Sequence, residues 1–149
     1  MLDFMNEAII EAKKAYKLGE VPVGAVIVKD DIVIARAYNM REKLKDPTAH
    51  AEIMVIKTAA KVLENWRLNG CHMYVTLEPC PMCAGAIVQS RISKIYIGTF
   101  DEKSGCCGSI LNLLQNKYLN SDIEVSWMYN RKCGLILEEF FKEKRKGKK

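Results

Sequence analysis

Apolar positions in the first eighteen residues recur at helical spacing. Met5, Ile9, Ala12 and Tyr16 share one face, with Asp3 near the start and Gly19 past the end. The pattern predicts a helix over residues 2–18. The rhythm then changes. Residues 24–28 are short, apolar and rich in β-branched side chains, Asp30-Asp31 offers a turn, and residues 32–38 form a second apolar run. A hairpin is the economical outcome. Residues 39–48 are polar, include Pro47 and predict a loop. Helical spacing returns over residues 49–65, where Ile53, Ile56, Ala60 and Leu63 share a face. Residues 72–77 predict a third strand. Pro81 opens a helix running to about Ser90, since proline suits a first turn. A fourth strand is expected within residues 92–99. A glycine-punctuated loop over residues 101–108 then leads to a short helix expected at 110–114. Residues 123–127 predict a fifth strand, and 131–146 a closing helix.

The order is thus α-β-β-α-β-α-β-α-β-α. The first two strands are close enough in sequence to pair antiparallel. The later ones alternate with helices, which requires parallel, right-handed crossovers. The expected fold class is α/β: a three-layer α/β/α domain with a single mixed five-stranded sheet and helices on both faces. With 149 residues, no repeat and no linker long enough to divide it, the chain is expected to be a single domain over residues 1–149.

Composition narrows the setting. No apolar run approaches the roughly 18 residues of a membrane span. Acids stand near the N-terminus where a signal peptide would be basic. A cytoplasmic protein is expected, with no membrane partner. In that setting the six cysteines point to metal binding or plain burial rather than disulfides. For the adjacent Cys106 and Cys107, burial or a loop role is favoured over a second metal. The net charge of +5 is unevenly placed: residues 1–141 carry 17 bases and 17 acids, while residues 142–149 carry six bases and one acid. A basic tail of this kind suits nucleic acid.

The chemistry sits in two fragments. Pro47-Thr48-Ala49-His50-Ala51-Glu52 opens the second predicted helix, and Glu78-Pro79-Cys80-Pro81-Met82-Cys83 opens the third. One imidazole and two thiolates suit tetrahedral zinc. Cys80 and Cys83 are three apart at a helix start, so their sulfurs can share a face, and the helix dipole favours the thiolates. Three protein ligands leave a fourth position open, which is the catalytic pattern. The other histidine, His72, and its neighbour Cys71 fall at the far end of the third strand, roughly 16 Å away by strand rise, and cannot close the site. Glu52, two residues from a ligand, can relay protons in the same cleft. His-x-Glu with Pro-Cys-x-x-Cys is the signature of the zinc nucleobase deaminases.

Within that superfamily the chain resembles the bacterial tRNA-specific adenosine deaminases. The likeness runs from the first helix to about residue 145. It is most specific in Glu20-Val21-Pro22-Val23-Gly24-Ala25-Val26, in Asp46-Pro47-Thr48-Ala49-His50-Ala51-Glu52-Ile53-Met54, and in Val75-Thr76-Leu77-Glu78-Pro79-Cys80 with Met82-Cys83-Ala84-Gly85-Ala86. Ser90-Arg91-Ile92 and the 101–108 loop also match. The resemblance implies a cytidine deaminase-like fold and a homodimer acting on the wobble adenosine, position 34, of a tRNA anticodon stem-loop. It implies His50, Cys80 and Cys83 as ligands of one zinc per subunit, and Glu52 as the proton shuttle. It makes Asn39 a base-contacting residue and Val23 a wall of the base pocket. It brings the Ala51 N–H close to substrate and places Asp101 in an RNA-facing loop. Cys106-Cys107 departs from the small Ala-type residues that many members carry there.

Two alternatives share parts of this pattern. A zinc deaminase of a free base or nucleoside, of guanine or cytosine type, would carry the same motifs. The PTAHAEIM stretch, the 101–108 loop and the basic tail weigh against it. A non-catalytic, zinc-stabilised RNA-binding module would not need Glu52 or an open ligand position.

Overall fold

The structure, a computed structural model, describes residues 3–147. The expected helix start at Leu2 and the last two tail lysines, Lys148 and Lys149, lie outside the described residues. Helix α1 (Phe4–Lys17) begins where the Asp3 carboxylate accepts from the Asn6 N–H, at 3.0 Å. Its alanines let it lie on the sheet: a Cβ at Gly24 would overlap the Ala8 carbonyl and the Ala12 nitrogen. Strands β1 (Gly24–Lys29) and β2 (Ile32–Tyr38) are joined by Asp30 and Asp31, both at positive φ, the conformation of a tight type I′ hairpin turn. Helix α3 (Ala51–Leu63) follows a short α2 (Arg41–Leu44). Then come β3 (His72–Leu77), α4 (Pro81–Gln89), β4 (Lys94–Thr99), the two-residue strands β5 (Gln115–Asn116) and β6 (Ser121–Asp122), β7 (Glu124–Trp127) and α5 (Arg131–Lys146).

The main sheet has the order β2-β1-β3-β4-β7. β1 runs antiparallel to both β2 and β3, while β3, β4 and β7 are parallel. Alternation along the strands divides the core. Met73, Val75, Ile95 and Ile97 pack with Val55 and Ala59 of α3 and Ile87 of α4. On the other face Tyr74 and Tyr96 pack with Met5 and Ile9 of α1 and Cys133 of α5. The expected mixed five-stranded sheet, covered by helices on both faces, is what the chain forms. No helix among the described residues is long and apolar enough to cross a membrane.

Two local expectations are corrected. The stretch 110–114 is not a helix. Asn112 accepts from the Gln115 N–H at 3.0 Å, a side-chain turn that competes with helix formation. Cys107 bridges to Asn112, and β5 and β6 pair as a small ribbon around a 3-10 turn at Lys117–Leu119. The loop expected over 39–48 contains α2. Its second and third N–H groups, of Glu42 and Lys43, donate to the buried Glu20 carboxylate at 3.0 and 2.7 Å, a cap supplied from 22 and 23 residues upstream.

Candidate active site

The topology gathers the candidate residues at one end of the sheet. β3 and β4 are parallel, so their C-terminal ends, Leu77 and Thr99, lie side by side. β1 is antiparallel to β3, so its beginning comes to the same end, and with it the last residue of β2, Tyr38, which pairs with Gly24. Ligands of open α/β sheets bind outside such strand ends. α3 and α4 also start there, with His50 and Cys80 as their N-cap residues.

The His50 Nδ1 lies 3.4 Å from the Cys83 Sγ and 3.6 Å from the Cys80 Sγ. All three donor atoms fall within 4.8 Å of one another. Ordinary zinc–nitrogen and zinc–sulfur bonds in a tetrahedral site put those atoms about 3.5 Å apart, so the donor set fits a zinc ion in both chemistry and spacing. Among the described residues no other group of three such side chains converges in this way. Hydrogen bonding from Cys83, aided by His50, outweighs burial and pulls the Cys80 thiol down to about 4. The bond to Cys80, together with burial, pushes the Cys83 thiol far up. The bond to Cys80 also raises His50. Two thiols forced together beside an imidazole release one proton readily and resist losing the second.

Glu52 is 4% exposed, and burial pushes its carboxyl up to about 7. It shares a cavity of about 120 Å³ with His50 and Cys80. Val23, Asn39, Ala51 and Asp101 line the same cavity, and buried Cys83 stands among the donors behind it. Asn39 is fixed on both sides: its Nδ2 donates to the Val21 carbonyl at 3.2 Å, and its Oδ1 accepts from the Arg41 N–H at 3.3 Å. As the first residue of α3, Ala51 has an N–H with no acceptor inside the helix. The Asp101 carboxylate shapes its own turn, accepting from Lys103 N–H, Ser104 N–H and the Ser104 hydroxyl at 3.0, 3.3 and 2.9 Å. The structure thus brings all eight candidate residues to one place. His72 and Cys71 stand apart, at the opposite end of β3. Cys106 and Cys107 are buried free thiols.

Sequence reasoning missed Glu78, which is buried and lines the cavity, and Glu20 behind the 39–50 loop. The available signal for Glu78 was a charged residue set between a strand end and the Pro79-Cys80 entry to the donor set. A second, larger groove of about 710 Å³ opens beside the cavity and shares Asp101 and Ser104 with it. Phe100, Phe141, Lys144 and Arg145 line its far side. The Phe140-Phe141 pair divides its roles: Phe140 is buried edge-on against Tyr16, and Phe141 is half-exposed in the groove.

A mixed sheet of this order, with an imidazole and two thiols converging at two helix starts above a buried carboxyl, defines a hydrolytic deaminase of the cytidine deaminase-like class. Residues 1–145 match a family model described as MafB19-like deaminase. A tRNA-specific adenosine deaminase of Bacillus subtilis (strain 168) is 54% identical over 147 residues, covering 98% of this chain and 91% of that one. The chain belongs to the family of the tRNA-specific adenosine deaminases. A solved structure described under A-to-I editing by tRNA:A34 deaminases superposes with a TM-score of 0.86 at 42% identity, covering 90% of this chain and 98% of its own. A guanine deaminase structure from Bacillus subtilis gives 0.62 at 40% identity, over 65% of this chain and 62% of that one.

Proposed function

We propose that this protein hydrolyses the wobble adenosine of a tRNA anticodon to inosine. The observation that carries it is the convergence of the zinc-type donor set and the buried Glu52 in one small cavity, in a chain so similar to tRNA-specific adenosine deaminases. The cavity is small, about 120 Å³, and shares Asp101 and Ser104 with the larger groove, so it suits one base drawn out of its stack rather than a whole strand.

His50, Cys80 and Cys83 would hold one zinc ion per chain. When bound, zinc supplies the Lewis acidity that makes water a nucleophile near neutral pH. The protein's own residues do the rest. Val23 and Asn39 orient the base, and the Ala51 N–H approaches it. Glu52, with a carboxyl able to hold or release a proton near neutrality, takes one from the attacking water and passes it to adenine N1. As the C6–N bond breaks, Glu52 takes the proton of the new C6 hydroxyl and delivers it to the departing amine, leaving the C6 carbonyl of inosine. Water and adenosine are consumed, and ammonia and inosine leave. The direct test incubates the purified protein with a short anticodon stem-loop and looks for inosine by mass. Free adenosine and guanine serve as parallel substrates. Turnover of a free base but not the stem-loop would favour the guanine deaminase-like alternative, and no ammonia at all would favour a binding module.

Three expectations follow from the surface. The groove beside the cavity carries Lys144 and Arg145, so the basic end of α5 is placed to meet phosphates. Gln substitutions at Lys144, Arg145, Lys146, Lys148 and Lys149 should weaken stem-loop binding and flatten its salt dependence, each lost phosphate contact removing about 0.7–0.9 from the log–log slope. An unchanged slope would move RNA binding to exposed bases such as Arg41, Lys43 and Lys45. Asp101, in the wall that joins cavity and groove, can accept from a ribose 2′-OH, so Asp101→Asn should lower the ratio of RNA to DNA turnover. A constant ratio would leave Asp101 only its turn. Finally, a Cβ at Gly85 of α4 would meet no atom within 4 Å, so the small residues Ala84-Gly85-Ala86 are not all required by packing inside this chain. Ala84 is buried in this chain's own core, whereas the part-exposed Gly85 and Ala86 suit close approach of a second copy. Light scattering should give twice the 16.9 kDa chain mass at micromolar concentration, and a monomer mass would refute the dimer.

A further inference from the structure

Glu78 stands between the end of β3 and the Pro79-Cys80 entry to α4, with 2% of its surface exposed. A carboxylate buried there must satisfy about four lone-pair sites. All are taken, and every donor lies in residues 101–109. Oε1 accepts from the Asp101 N–H at 2.9 Å and from the Ser109 hydroxyl. Oε2 accepts from the N–H groups of Cys107 and Ser109, each at 3.0 Å. Gly105 closes the nest, because a Cβ built on it falls against the Glu78 carboxyl carbon and both its oxygens. The loop consists of turns and a single bridge, so it lacks a ladder of its own, and the buried carboxylate takes the place of one. With its oxygens committed, Glu78 is not free to move protons, although it lines the cavity.

We propose that Glu78 is a positioning residue: it holds the 101–109 loop against the pocket and, through Asp101, sets how tightly RNA substrates are gripped. The proposal rests on the reading of the protein as an RNA deaminase. Glu78→Gln tests it, because an amide nitrogen cannot accept from an N–H, so whichever way the amide turns, Asp101 or the Cys107–Ser109 pair loses its acceptor. The expected result is a KM for the anticodon stem-loop about tenfold higher, with kcat and zinc content within about twofold of wild type. Combining Glu78→Gln with Asp101→Asn should raise KM no further than the larger single effect, as for two residues acting through one contact. Should Glu78→Gln fail to fold, Ser109→Ala carries the test: it removes one of the four donors and should raise KM by about threefold. Wild-type turnover of the stem-loop with KM unchanged in these variants overturns the proposal alone. So does a loss of zinc or kcat at constant KM, which would tie Glu78 to the metal donors instead. A wild-type protein that leaves the stem-loop untouched overturns the proposed function and this proposal with it.

Discussion

Glu52→Ala is expected to keep fold and zinc while losing at least about 10²–10⁴-fold in turnover, the usual cost of removing a general acid–base and more where one group makes several transfers. The carboxyl sits in the first turn of α3, 4% exposed and in the cavity with His50 and Cys80. Alanine is the best helix former, so α3 survives the change. Burial is the largest influence on this carboxyl, and it acts against the charged form. Removing it therefore relieves a desolvation cost, and the melting temperature should hold or rise, a local exchange of stability for function. Single-turnover inosine formation, elemental zinc and a thermal melt on the same preparation check all three. A variant within a few fold of wild type would mean that another group moves the protons.

Cys80→Ser is expected to lose most of its zinc and, with it, measurable turnover. Here the donor set itself is broken. A serine hydroxyl does not replace a thiolate in an N/S/S site, and the two remaining donors, His50 and Cys83, cannot hold a tetrahedral ion firmly. Hydrogen bonding from Cys83 and His50 holds the Cys80 thiol down to about 4, in the thiolate form that a metal requires. The two variants separate the reagents of the site: Glu52→Ala loses turnover at full zinc, whereas Cys80→Ser loses both. Full zinc occupancy in Cys80→Ser would reassign the ligands.

What the sequence disclosed follows from the range of the forces involved. The main helices and strands rest on local periodicity, so α1, α3, β3 and α5 were legible to within a few residues. His50, Glu52, Cys80 and Cys83 were legible because their spacing works within a single helix turn at each helix start. Val23, Asn39, Ala51 and Asp101 came from family resemblance, and only the strand order explains why they meet. Elements that depend on distant partners stayed hidden. α2 needs a carboxylate from Glu20, and the 101–109 loop needs one from Glu78. The stretch 110–114 has helical apolar spacing, yet Ile110 and Leu111 are more than half exposed while Leu114 is buried, because the Asn112 turn redirects the chain.

The two buried acids also bear on how such a pocket changes hands between substrates. The donor set and Glu52 are fixed to helix starts, whereas two of the walls are loop segments, each hung on a buried carboxylate. A wall can be recut for another base while the reagent stays in place. The loop and its acid must travel together: a transplanted loop without its glutamate brings orphaned N–H groups, and a retained glutamate without its loop is a buried anion with no donors. Loop and anchor are the heritable unit here, and a library that varies residues 101–109 while holding Glu78 and Gly105 constant explores substrate choice at the least risk to the fold.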